Sequence, residues 1–177
     1  MTSRGRSRTI GLVLAMVAAL VALLIVAGIV ARDRARDGAV AAPLQAALAA
    51  QRAAAAPFAG LTETHVSVGG RCLRVVVADT ESEREHGLMG RADLGPYEGM
   101  LFVVPSDSSD AFWMGGTEVP LDIGWYDRNG SADGTARMVP CPANVVARCP
   151  QYHAQRRWRF ALETTHGRLP AGALSSC

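Results

Sequence analysis

The sequence predicts a mainly β fold, an antiparallel β sandwich or open barrel with one short helix, preceded by a single transmembrane helix. Three observations carry this expectation. Residues 10–30, IGLVLAMVAALVALLIVAGIV, form an apolar run without charge or proline. From residue 61 onward, apolar positions alternate over short runs separated by turn residues, which is the period of strands. Within that part, the stretch from Thr80 to Glu83 carries a helix-start pattern.

Taken in order, residues 1–9 are a basic tail holding Arg4, Arg6 and Arg8 and no acid, expected on the cytoplasmic side. At about 1.5 Å per residue the run 10–30 reaches roughly 32 Å, enough to cross a hydrocarbon core of about 30 Å. Secretory signals have shorter apolar regions of about 7–15 residues. An uncleaved anchor is therefore favoured, although Ala39-Val40-Ala41 has the form of a cleavage site. Arg32, Arg34 and Arg36 on the far side balance the tail, so the positive-inside rule gives a slight lean. Residues 31–60 are an alanine-rich linker in which Pro43 can open a helix and Pro57 can end it. Its expected role is a spacer above the bilayer, with low-complexity filler as the alternative.

Residues 61–177 are the expected extracytoplasmic β domain. HVSVGGRCLRVVVADT reads as strand, Gly69-Gly70 turn and strand, with Leu73, Val75 and Val77 on one face. Thr80 followed by Glu83 is a capping box, and Gly87 or Gly90 stops the short helix. GMLFVV, residues 99–104, is continuously apolar, as in a strand buried on both faces. Residues 111–114 suit a brief strand. In PLDIGWYD, Leu121, Ile123 and Trp125 face one way and Asp122, Gly124 and Tyr126 the other. Asn129-Gly130 signals a hairpin. In WRFALE, Trp158, Phe160 and Leu162 alternate with Arg159, Ala161 and Glu163. Arg156, Arg157 and Arg159 are expected on a solvated face, with an anionic headgroup or polymer contact as the alternative.

Four cysteines, Cys72, Cys141, Cys149 and Cys177, allow three pairings, and none lies in a Cys-x-x-Cys motif. Cys141 and Cys149 bracket a short loop that closes easily, and Cys72–Cys177 would tie the tail to an early strand of the domain. Chain entropy gives about 2.6 kcal/mol for the short closure and about 4.8 for the long one. Such bonds belong to an oxidising compartment, which places the domain outside the cytosol at a cell membrane.

Composition narrows the chemistry. All 18 basic residues are arginine, so lysine Schiff bases are excluded. Without the three tail arginines, 15 face 16 acids, a balance that lacks the basic footprint of nucleic-acid binders. His65, His86, His153 and His166 show no helical metal-ligand spacing, and no Gly-x-Ser-x-Gly elbow occurs. Met89, Met100, Met114 and Met138 lie in apolar runs and read as core rather than as a copper site. No metal and no cofactor is expected.

The blocks EREHGLMGRADLGPYEGMLFV, FWMGGTEVPLDIGWYD, PCPANVVARCP with Tyr152, and FALETTHGRLPAG, in this order, resemble the family called domain of unknown function 192. The resemblance runs from about residue 70 to the end. It implies a compact, mainly β domain, often exported or membrane-attached, and supplies no activity. Gly115-Gly116 stand where the family usually carries lysine-asparagine, so an anion held by that lysine has no counterpart here.

The candidate ligand-binding residues are Arg91, Trp113, Met114, Thr117 and Asp122, an aromatic wall with a few polar groups. Asp122 lies in an otherwise apolar strand and needs a partner, for which Arg91 is the candidate. The expected function is a membrane-anchored, non-catalytic binding or accessory module of the cell envelope, taking a small molecule or an envelope polymer. A hydrolase or transferase using Asp122 with a second carboxylate (Asp107, Asp110 or Glu118) is the alternative, and a scaffold for protein partners is the third.

Overall fold

The computed structural model describes residues 17, 20–25, 27, 39–142, 144 and 148–177. Among these residues no helix is long and apolar enough to cross a membrane. The basic tail, most of the anchor expected over 10–30 and residues 31–38 lie outside them. The described part of that anchor is helical, and Leu20, Val21, Leu23, Leu24 and Ile25 are exposed there. The chain separates into two compact units, residues 1–39 and 40–177.

The second unit is mainly β. Helix α1 (Ala42–Ala49) and strand β1 (Arg52–Ala53) precede β2 (Thr62–Val68) and β3 (Arg71–Ala78). Helix α2 (Glu81–His86), β4 (Gly99–Ser108), β5 (Phe112–Trp113), β6 (Leu121–Tyr126) and β7 (Ala132–Met138) follow. The last strands are β8 (Gln151–Tyr152), β9 (Trp158–Thr165) and β10 (Leu174–Ser176). Eight strands form one sheet in the order β1-β2-β3-β4-β9-β6-β7, with β10 also paired to β2, while β5 and β8 form a separate ribbon. The sheet is mixed: β3 and β4 run parallel, and the other pairs are antiparallel. α2 lies on the connection between the two parallel strands, and a parallel pair requires a crossover of this kind.

Local signals explain the ends of the elements. The Thr80 hydroxyl accepts from the Glu83 N–H, and the Glu83 carboxylate accepts from the Thr80 N–H, completing the capping box. Gly69 and Gly70 both adopt positive φ in the β2–β3 turn. In the β6–β7 turn, Asp127 Oδ1 accepts from the N–H groups of Asn129 and Ser131. The Leu174 N–H donates to the Gly130 carbonyl at 2.8 Å, so one sheet edge meets that turn.

Both faces of the sheet are buried. One core gathers Val76, Met100, Phe102, Ile123, Trp125 and Ala161. The other gathers Val75, Leu101, Tyr126, Phe160, Leu162 and Leu174, with Leu44 and Ala47 of α1 upon it. Leu44 is 2% exposed, and the Thr64 hydroxyl donates to the Ala47 carbonyl. The stretch read as a spacer therefore belongs, from Val40, to the compact unit, because its helix covers an apolar sheet face. Tyr126, expected opposite the buried side of β6, is buried in the second core for the same reason. Arg159, expected on a solvated face, is 8% exposed. The register of β4 and β9 shifts between Val103 and Ser108, and Arg159 there bonds Asp107 and the carbonyls of Val104 and Pro105.

The pairings expected of the cysteines are both present, Cys72–Cys177 and Cys141–Cys149, with Cα separations of 5.6 and 5.8 Å.

Candidate functional site

A cleft of about 730 Å³ opens between α2 with its following loop and the chain from Pro105 to Thr117. Its position follows from the sheet. β9 lies between β4 and β6, and its residues alternate between the two cores. On the α2 side, Phe102 of β4 and Trp158 of β9 stand up from the sheet. Phe112 bridges them, edge-on to Phe102 with centroids 5.1 Å apart and tilted against Trp158 at 5.3 Å. The Trp158 indole N–H donates to the Asp110 carbonyl at 3.2 Å, fixing the ring.

Glu163 also lines this cleft. It sits across from Met100 on β4 and Ile123 on β6, residues of the same core, and is 5% exposed. Among the described residues no hydrogen bond or ion pair to its carboxyl is found. Burial pushes its pKa from the ordinary 4.5 up to about 8. A charged carboxylate without a partner is costly in such a place, so the neutral acid prevails near pH 7. Trp125, diagonal to Glu163 on the neighbouring strand, holds a buried indole N–H for which no acceptor is found among the described residues. By sequence alone, Glu163 stands only in an alternation with Arg159 and Ala161. The usable signal was a glutamate within an apolar strand, followed by Thr164.

The five residues singled out in the sequence fall in different places. Trp113 and Thr117 line the cleft. Trp113 is 41% exposed at the rim, while Thr117 is 7% exposed. The Trp113 ring lies over Gly115 so closely that a β-carbon there would sit 1.7 Å from it. Gly116 turns the chain at φ 73°, and its carbonyl accepts from the Gly90 N–H, joining this wall to the loop after α2. Met114 is 1% exposed and packs in the core instead of facing the cleft, because β5 is only two residues long and the chain turns inward after it.

Asp122 and Arg91 do not meet. Asp122 lies on the sheet face opposite Ile123 and Trp125. It accepts from the Gly167 N–H at 2.6 Å and contacts His166 Nδ1 at 2.7 Å. The carboxylate thus holds the turn that leaves β9, next to β6 in the sheet. Arg91 donates to the Pro57 carbonyl at 2.9 Å and stacks over Phe58 at 4.8 Å. Each group has a nearer partner in the segment packed beside it.

The wall bearing Trp113 is held from behind by the short disulfide. The Gly116 N–H donates to the Cys141 carbonyl, and the Cys141 N–H donates to the Met114 carbonyl. β8, just past Cys149, pairs Tyr152 with Phe112 and Gln151 with Trp113.

The sequence pattern of the family DUF192, described as Uncharacterized ACR, COG1430, matches residues 64–175. Among solved structures, a protein of unknown function from Novosphingobium aromaticivorans DSM 12444 is 27% identical, with a TM-score of 0.59, over 73% of this chain and 95% of its own. A putative transcription regulator from Sinorhizobium meliloti 1021 is 23% identical, with a TM-score of 0.52, over 63% of this chain and 89% of its own; that likeness is one of fold. No curated protein matches the chain.

Proposed function

This chain belongs to the DUF192 family, and from that premise we propose that it is a membrane-tethered, non-catalytic binding module of the cell envelope. Its ligand, a small organic molecule or the end of an envelope polymer, enters the cleft between α2 and β5. The observation that carries the binding reading is the cleft itself: about 730 Å³, walled by Phe102, Phe112 and Trp158, with a buried carboxyl at its inner end. Aromatic walls with few polar groups suit small-molecule capture. The tether reading is supported by the apolar run 10–30 and by the exposed leucines of its described part. Location outside the cytosol is supported by both disulfides, with no free cysteine among the described residues.

Asp122 is not required for this function, since its two oxygens are engaged with His166 and Gly167. Trp113 supplies the test. Its half-exposed ring at the rim should change fluorescence when fractions of an envelope metabolite extract are titrated in, and Trp113→Phe should weaken that signal, leaving the share reported by Trp158. The reading fails if no fraction moves either the fluorescence or the melting temperature. A phosphatase fused after Cys177 should be active in intact cells, and an inactive fusion at normal expression would place the domain in the cytosol.

A further inference from the structure

We propose that the cleft binds a protonated amine, whose ammonium group docks against Glu163 between the aromatic walls. This deepens the binding reading above and rests on it.

Three features argue for a cationic guest. Glu163 is an acceptor at the inner end of the cleft, nine-tenths buried, with no donor among the described residues. Its carboxyl reaches the cleft, and a ligand that brings its own N–H donors supplies the charge-assisted partner that the described chain does not. The aromatic groups around it, Phe102, Phe112 and Trp158, offer ring surfaces that tolerate cations and repel carboxylates and phosphates.

The charges at the mouth agree. Besides Glu163, the acids facing the cleft are Glu81 and Glu85 on α2, Asp107 near the end of β4 and Asp110 just past it. Asp107 is matched by Arg159 and Arg128, whereas no ion pair to Glu81, Glu85 or Asp110 is found among the described residues. The cleft's two arginines hold backbone carbonyls and keep their charge: Arg84 donates to the carbonyls of Asp79 and Val103, and Arg157 to that of Asp107. His86 completes the titratable set. Among the cleft's charges without an ion pair in the described residues, the three carboxylates of Glu81, Glu85 and Asp110 outnumber the guanidinium groups of Arg84 and Arg157, so the mouth favours a cation. On docking, the ammonium favours the carboxylate form of Glu163, and the acid proton leaves to solvent.

The test uses the full chain in detergent and three probes of one shape and different charge: phenethylamine, phenylethanol and phenylacetate. Trp113 fluorescence and thermal shift report binding at constant ionic strength near neutral pH. Phenethylamine should bind at least about tenfold more tightly than the alcohol, a difference of about 1.4 kcal/mol, and phenylacetate more weakly still. Glu163→Gln keeps the shape, removes the charge and should abolish the amine's advantage while leaving the alcohol's affinity unchanged. Equal binding of all three, or an amine preference that survives Glu163→Gln, overturns the proposal while leaving the cleft a ligand site. A chain that ignores phenethylamine at millimolar concentration also overturns it. The cleft reading is then judged separately by the extract titration.

Discussion

At Glu163 the sheet buries a carboxyl that the described chain does not pair, and this has a consequence for stability whatever the cleft binds. The folded-state pKa stands near 8 and the ordinary value is 4.5. Between those pH values the folded chain keeps a proton that the unfolded chain has lost. The contribution of this group to stability must therefore fall as pH rises across that window and level off on either side. Glu163→Gln, which cannot ionise, should remove that slope. Urea midpoints for both proteins at about pH 5 and about pH 9 isolate this group, because the other titrating groups are common to the pair. The variant should gain a few kcal/mol over wild type at the higher pH and little at the lower one. Midpoints that differ equally at both would mean that Glu163 finds a donor on folding. Glu63 is the opposite case. Its side chain is as deeply buried, but Arg74, Tyr97 and Arg52 donate to it and hold its pKa down to about 2. Three donors to Glu63, against none found for Glu163 among the described residues, set the two glutamates apart.

At the scale of the element, the β5–β8 ribbon and the short disulfide act as one wall. Cys141 is bonded through its backbone to Met114 and Gly116, on either side of the glycine over which Trp113 rests. Cys141→Ser with Cys149→Ser should therefore loosen the Trp113 rim. The short closure is worth about 2.6 kcal/mol, so the double variant should still fold, with ligand-induced fluorescence at Trp113 weakened. The Cys72→Ser, Cys177→Ser pair should behave differently, lowering global stability by more and leaving the rim's response unchanged. Urea unfolding together with probe titration separates the two outcomes, and equal effects of both pairs on the rim would sink the assignment. These elements were largely legible beforehand. The capping box at Thr80, the Gly69-Gly70 and Asn129-Gly130 turns and the doubly buried strand at Met100–Phe102 depend on neighbours along the chain. The true partners of Asp122 and the place of Glu163 were not legible, because they depend on which strand lies beside which. β9 inserts between β4 and β6, and neither period nor turn chemistry announces that order. With β9 in the centre, Glu163 faces the cleft and Asp122 reaches the turn that ends β9.

For the whole molecule, the question is where the folded unit begins. The compact unit starts at Val40, although alternation becomes visible in the sequence only near Leu61. α1 covers the second core through Leu44 and Ala47, and its carbonyl at Ala47 takes the Thr64 hydroxyl. β1 then extends the sheet past β2 and brings Arg52 to Glu63 at 2.6 Å. Removing residues 40–60 would uncover Val66 and Leu174, free the edge of β2 at Thr62 and Glu63 and deprive Glu63 of one of its donors. Leu44 alone represents about 2 kcal/mol of apolar burial, and an uncovered strand edge invites self-association. A chain beginning at Val40 should therefore unfold in urea at the same midpoint as the detergent-solubilised full chain, in a single transition. A chain beginning at Leu61 should lose several kcal/mol, a large part of a typical domain's stability, and should aggregate at lower concentration. If the two truncations unfold at the same midpoint, α1 is a spacer after all, and the alanine-rich stretch serves distance from the bilayer instead of the fold.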